Sequence, residues 1–443
     1  MKKYLIVGIF LWLMPFESFS QNWVSVDSGF TSYVNQLTFD SVNNKLYAIG
    51  YFTVAGGSVN TPNSTAQYNG VKWDTIPVIN NSSYIIGSII TYNNKLVFTA
   101  NDAILSSDGI SADTIAVHTN GWVLSLFVNN NDLYAMGVID SINGVIASRI
   151  ARYDGTVWRA MDTTTSFTGS INCAAMYNGE LYIGGNFLNQ TGTIGFVAKW
   201  DGTQWQPVGN LSSSFNVNIL CLEVYNNKLY AAGYIGTNNG NPLLIHNIAS
   251  WDGIQWDNVG GGVNFSVKDL QVYNNELYAG GHFFQAGGCP IYSLAKWNGT
   301  EWCGLGFNAN STFVNCLAVY NNNLYLGGNF KTVLGDTMNY VTQWNGGNYT
   351  DTCGVLTSVS EISNPLSLVT ISPNPFNSST TITFSEEQKN TAINIKDILG
   401  NTIQQLTTNN QQLIIDMSAF AKGIYFVNIK TEQGILNKKL IKQ

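Results

Sequence analysis

Charged side chains are scarce in this chain. Asp, Glu, Lys and Arg make up 11% of its 443 residues, and the formal net charge is -7. No cluster of Lys and Arg marks a groove, which excludes the basic surface that nucleic acid requires. Histidine is rarer still, with His118, His246 and His282 as the three in all, and no two stand at metal-ligand spacing. The sequence therefore offers no resident metal or cofactor. Gly-x-Ser-x-Gly, Walker and His-Glu-x-x-His patterns are missing too, which removes the commonest hydrolase, nucleotide and zinc chemistries. Beyond the first twenty residues, no segment approaches the ~20 apolar residues that cross a bilayer as a helix.

What is there begins with an export signal. Lys2 and Lys3 form a positive region, residues 4–15 an apolar one too short to span, and Ser18-Phe19-Ser20 a cleavage site that leaves Gln21 first. Six cysteines in an exported chain raise the question of disulfides. Cys173, Cys221 and Cys316 each lie four residues before a Tyr at the same point of a repeat described below (Tyr177, Tyr225, Tyr320). Equivalent points of different repeats are far apart, so these three read as small buried hydrophobes. Cys289, Cys303 and Cys353 lie less regularly, and Cys289 with Cys303 could close a loop within one repeat.

Aromatics reach 13% and glycines number 43, and both recur periodically. Leu-Tyr followed by small residues stands at Tyr47, Tyr134, Tyr182, Tyr230, Tyr278 and Tyr325, with a weakened copy at Leu96-Val97. After each come an aromatic, Asn/Asp-Gly, and a second aromatic, as in Trp200-Asp201-Gly202 with Trp205 and Trp251-Asp252-Gly253 with Trp256. A period of about 40–50 residues built of short strands and turns is that of a β-propeller.

One copy reads as four strands. Residues 217–225 form the first and 228–234 the second, joined by Asn226-Asn227, a pair that tolerates positive φ. Ala231, Ala232 and Gly233 keep the second strand thin enough for close approach of a neighbour. Residues 248–251 and 255–259 form the third and fourth around Asp252-Gly253. The grammar recurs seven times, the second copy eroded, which predicts seven blades over residues 21–354. Trp23-Val24-Ser25-Val26 resembles a fourth strand and stands ahead of the first full copy, so it is expected to pair with the last blade and close the circle. That blade has its own candidate around Tyr349, which the N-terminal strand would join or displace.

The period stops at Gly354. Residues 355–366 read as a linker, and 367–443 as a second domain of six or seven short strands in a small β-sandwich. Pro373-Asn374-Pro375-Phe376, the turn from Asp397 to Gly400, Gly423-Ile424-Tyr425 and the basic end with Lys438 and Lys439 occur in this order. On these motifs the region resembles the type A C-terminal sorting domain of the type IX secretion system. The resemblance implies handling by that machinery, passage through the periplasm, and release from or attachment to the cell surface. The repeats, for their part, resemble kelch-like and galactose-oxidase-like propellers, whose architecture serves enzymes and binding proteins alike.

A copper site of the galactose-oxidase kind needs two His ligands, Tyr ligands and a Tyr–Cys crosslink, and the residues for it are not there. His282 occupies the slot of Asn186 and Asn329 in other copies and reads as a repeat variant. Asp108, Asp154, Asp201 and Asp252 belong to Asp-Gly turns, while Glu223, Glu276 and Glu301 fall at different repeat positions with nothing to single them out as a paired acid. The loops between second and third strands vary most and carry oxygens of the kind Ca²⁺ takes, but no ligand spacing repeats, so they read as solvated turns. The expectation is a secreted, non-catalytic binding propeller for a glycan or protein, with a polysaccharide hydrolase or lyase at the central face as the alternative.

Overall fold

A computed structural model describes residues 23–80, 86–117, 121–209, 211, 217–235, 245–307, 313–345, 369–384, 391–397, 401–431 and 434–443. The expected signal peptide (1–20), the linker (355–366), His118, Tyr349, Cys353 and Gly400 lie outside these residues. The chain divides into two compact units, Met1–Val355 and Leu356–Gln443.

The first unit is all-β and contains, among the described residues, seven four-stranded antiparallel sheets. Their first strands are Val34–Asp40, Ile89–Tyr92, Gly121–Asn129, Phe167–Tyr177, Val217–Tyr225, Val267–Tyr273 and Phe313–Tyr320. First and second strands meet in two-residue turns whose central residues take positive φ, among them Asn226 (46°) with Asn227 (56°) and Asn274 (49°) with Asn275 (59°). Such turns match the twist of the strands they join.

Six sheets are built from consecutive segments; the seventh is not. Its order is Trp23–Ser25, Val341–Trp344, Asn323–Asn329, Phe313–Tyr320, with Trp23 opposite Trp344 and Ser25 opposite Thr342. The N-terminal strand is therefore the fourth strand of the last sheet. The eroded second copy also forms a full sheet, ending in Ala112–Val117. Before it comes a short helix, Pro77–Asn80, which places Ile79 in a cluster with Ile76, Ile86 and Phe98.

Neighbouring sheets are joined by three recurring bonds. The Tyr closing a first strand donates its hydroxyl to a turn carbonyl of the next sheet: Tyr177 to Asn227 O (3.0 Å), Tyr225 to Asn275 O (3.0 Å), Tyr273 to Asn322 O (3.1 Å). Tyr320 of the seventh sheet does the same to Asn44 O of the first (3.2 Å). The fourth-strand Trp donates its indole N–H backwards, Trp256 to Val208 O and Trp302 to Val259 O, both at 2.8 Å. Again the series runs across the chain ends, since Trp73 donates to Val26 O, just past the N-terminal strand (3.2 Å). Glycines supply the third link. A Cβ on Gly280 would stand 2.6 Å from Val314 of the next sheet, and one on Gly327 would stand 2.7 Å from Val34 of the first.

One expectation fails. Cys289 is a free thiol, whereas Cys303 is disulfide-bonded to a partner outside the described residues. The Cys289–Cys303 loop is not made. Cys289 lies instead in a tight turn, where its N–H donates to Ala286 O and its carbonyl accepts from Ala286 N–H. Cys173, Cys221 and Cys316 are free, and burial holds all three thiols far above their usual range.

The second unit has a three-stranded sheet (Thr370–Ser372, Ser379–Thr383, Gln412–Asp416) and a four-stranded one (Thr402–Thr408, Thr391–Lys396, Gly423–Thr431, Gly434–Lys442). Phe376, Ile382, Ile393, Ile415, Val427 and Leu440 belong to one core between them.

Candidate functional site

First strands of successive sheets lie against one another, and the seventh lies against the first. Six carry a register shift at one point, between Val34/Gln36, Val123/Ser125, Ile171/Cys173, Ile219/Cys221, Val267/Asp269 and Val314/Cys316. The shift turns the side chain that follows it toward the next sheet. There it accepts a backbone N–H: Asp269 Oδ2 from Leu317 (2.8 Å), the Cys221 thiol from Leu270, and the Cys316 thiol from Leu37. In the second sheet Ser88 Oγ accepts from Leu126 N–H (3.3 Å). This slot is a junction, and small neutral residues suit it.

Asp269 is the exception, a carboxylate where other sheets carry Cys, Ser or Gln. Burial pushes its pKa up to about 7, against the pull of N–H donors from Leu317 and Leu270. On the preceding sheet Glu223, two residues before Tyr225, is also pushed up to about 7, by burial and then by the charge of Asp269. The charge of Asp269 thus acts on Glu223 across the junction between the two sheets. Glu276, in contrast, is spent on Lys296 (2.9 Å). The repeat carried a signal for Asp269, an acid at the position of three cysteines, but Glu223 becomes visible only through its neighbour.

Just before the register shift, the first two strands present another set of equivalent positions. Trp122 pairs with Val138, Ser170 with Asn186, Asn218 with Tyr234 and Phe313 with Asn329. Backbone bonds place Tyr33 with Tyr51 and Ser266 with His282 in the same relation. The following residues, Val34, Val123, Ile171, Ile219, Val267 and Val314, are buried, so pleating turns this set outward. Trp122 is 70% exposed, Tyr51 63% and Tyr234 48%. His282 stacks on Phe313 at 3.9 Å, and burial lowers its pKa. The slot expected for His282 is thus the one it fills, beside Phe313.

His246 offers its carbonyl to Val263 N–H, and among the described residues no three His, Cys, Asp or Glu side chains converge. Cys173, Cys221 and Cys316 are engaged in sheet junctions, which leaves these three unsuited to the Tyr–Cys crosslink of a copper–radical centre. The Asp-Gly turns behave as read: Asp154 accepts N–H bonds from Thr156 and Val157, and Asp201 from Thr203 and Gln204. Both carboxyls are held far below their usual range. Between the first and seventh sheets a cavity of about 320 Å³ is lined by Phe30, Thr31, Val54, Lys331 and Tyr340.

In the second unit the motif residues separated in sequence come together. Asn374 donates Nδ2 to Lys439 O (2.7 Å) and accepts Ile441 N–H (2.9 Å), while Phe376 N–H bonds Ile441 O (3.0 Å). Pro373 O accepts from Thr380 Oγ1 (2.6 Å); Pro375 lies between Asn374 and Phe376. Asp397 takes both the N–H and the amide of Asn401, closing its turn. Gly423, Ile424 and Tyr425 open the strand paired with Lys438 and Lys439, and the Tyr425 hydroxyl bonds Ala421 O (2.7 Å). Lys442, nearly buried, points Nζ at the carbonyls of Met417, Ser418 and Phe420.

Residues 370–443 match the family described as the secretion system C-terminal sorting domain. A tail of this kind marks export to the cell surface or release, and among the described residues no helix is long and apolar enough to cross a membrane. No curated protein matches the sequence. Among solved structures, the extracellular domain of a hybrid two-component system from B. thetaiotaomicron is 11% identical, with a TM-score of 0.45, over 96% of this chain and 58% of that one. This chain thus spans little more than half of it. PorZ, a surface component of the type IX secretion system of Porphyromonas gingivalis, is 11% identical with a TM-score of 0.27, over 90% of this chain and 68% of that one. A fungal AA5-family alcohol oxidase in complex with copper is 12% identical with a TM-score of 0.40, over 95% and 98%. At such scores the likenesses carry no argument about function.

Proposed function

We propose that residues 21–354 form a seven-bladed, kelch-like β-propeller that binds a glycan or protein outside the cell without catalysis, and that the β-sandwich at 367–443 delivers it there through the type IX machinery. The observation that carries the propeller is the bonding of the seventh sheet to the first by the same Tyr, Trp and Gly contacts that join the others. A circle of seven sheets leaves no unpaired sheet to stack on, which is how such repeats end without caps. Binding is supported by the outward set of aromatic and amide side chains.

A second reading has one observation in its favour. Burial pushes both Glu223 and Asp269 up to about 7, the range in which a polysaccharide hydrolase or lyase keeps its general acid. Against it, both Asp269 oxygens take backbone N–H bonds, from Leu270 (2.9 Å) and Leu317 (2.8 Å). The two readings part in one assay. Purified protein incubated with plant and microbial polysaccharides should bind without releasing reducing or unsaturated ends. Release that disappears in Glu223→Gln would replace the binding reading with the enzymatic one.

A further inference from the structure

We propose that the outward rim of first- and second-strand ends binds a neutral saccharide chain, with Trp122 and Tyr51 as stacking platforms. The proposal rests on the binding reading and gives it a ligand class and a place. Its starting point is Trp122. The indoles of Trp73, Trp158, Trp256 and Trp302 are buried and bonded to a neighbouring sheet. Trp122 has no such position in the repeat and is 70% exposed. A large aromatic face left in water on a regular strand contributes little to the fold, and flat aromatic faces suit the C–H faces of pyranose rings.

The rim has further rings. Tyr51 stacks with Tyr33 at 4.9 Å, and beside the His282–Phe313 stack the loop pair Phe265–Phe284 lies at 5.6 Å, each ring about half exposed. Between the aromatics stand Asn186, Asn218 and Asn329, whose amides both donate and accept, as vicinal hydroxyls require. The paired positions themselves include no Asp, Glu, Lys or Arg. Lys268 lowers the pKa of His282 after the larger effect of burial, and a polyanionic glycan would call for cations at the paired positions themselves. A peptide is disfavoured on separate grounds. Each first strand is the edge of its sheet, but it lies against the first strands of its neighbours, which leaves little room for strand addition.

Affinity gel electrophoresis of the full chain tests this, with laminarin, xylan, galactomannan or polygalacturonate cast in the gel. Retardation is expected in at least one of the three neutral gels. Trp122→Ala should weaken it about tenfold, and Trp122→Ala/Tyr51→Ala should abolish it, with melting temperatures unchanged because both side chains are exposed. Equal retardation of the double variant would overturn the site. Migration unchanged in all three neutral gels would overturn the ligand class. If retardation occurs only with polygalacturonate, or a surface protein is bound instead, the neutral-saccharide proposal falls while the binding reading stands. Release of sugar ends would remove the binding reading itself.

Discussion

Asp269 and Glu223 set a pH dependence whose sign follows from their environment. In the folded chain both hold a proton up to about 7, while in the unfolded chain they lose it near 4. Between those values the native state binds more protons than the unfolded one, so stability falls as pH rises through that window. Below pH 4 both states are protonated and the effect is gone. Asp269→Asn removes the titration but keeps an oxygen for only one of the two N–H groups, of Leu270 and Leu317. It should flatten the slope of melting temperature against pH between pH 4 and 8, whatever constant loss the missing bond adds; an unchanged slope would show that Asp269 does not carry the pH dependence. Tyr320 offers a second residue-scale test. Tyr320→Phe deletes the bond to Asn44 O across the chain ends and should cost about 0.5–1.5 kcal/mol, as a lost neutral hydrogen bond does. Tyr225→Phe, which acts between adjacent sheets, should cost the same. If the first and seventh sheets do not meet in solution, only Tyr225→Phe will register in urea unfolding.

At the level of elements, the N-terminal strand was legible because Trp23-Val24-Ser25-Val26 repeats the pattern of a fourth strand, and Trp344 supplies its partner. Removing residues 21–28 deletes that strand together with Val26 O, the acceptor of Trp73, and Asp27, whose carboxylate takes Trp73 N–H (2.6 Å). The melting temperature should fall by several degrees, and an unchanged curve would count against closure by this strand. Four-strand grammar, turn pairs and the tail motifs were equally legible, since each depends on local residue types at fixed spacing. Three things were not. The helix Pro77–Asn80 buries Ile79 ahead of the eroded second copy, and four residues carry no periodicity to read. The free state of Cys289 depends on where its turn sits. The Glu223–Asp269 pair depends on which side chains two sheets bring together, which no single repeat records.

For the whole molecule, the chain divides into two compact units, which on the proposed function should be separable. Truncation after Gly354 leaves all seven sheets, so the product should fold with an unchanged circular dichroism spectrum yet stay in the periplasm of a type IX-competent host. Normal appearance in the medium would contradict the role of the tail. Within the tail, Asn374→Ala removes two bonds to the last strand and should reduce export in proportion to the fraction of tail that unfolds, read by limited proteolysis.

The seventh sheet is assembled from the two ends of its unit, with Val24 and Thr342 bonded across 318 residues of chain. A chain emerging N-terminus first holds its opening strand in reserve until the last segment arrives. Bringing such distant ends together costs about 5 kcal/mol of loop entropy, so closure comes late and nearly all at once. A polypeptide cut short before Val341–Trp344 leaves Trp23–Ser25 without its partner strand. On the proposed circular reading, closure thereby checks the chain as far as Trp344: a molecule that ends before that strand stays open, whereas one that ends after Gly354 closes without the export tail.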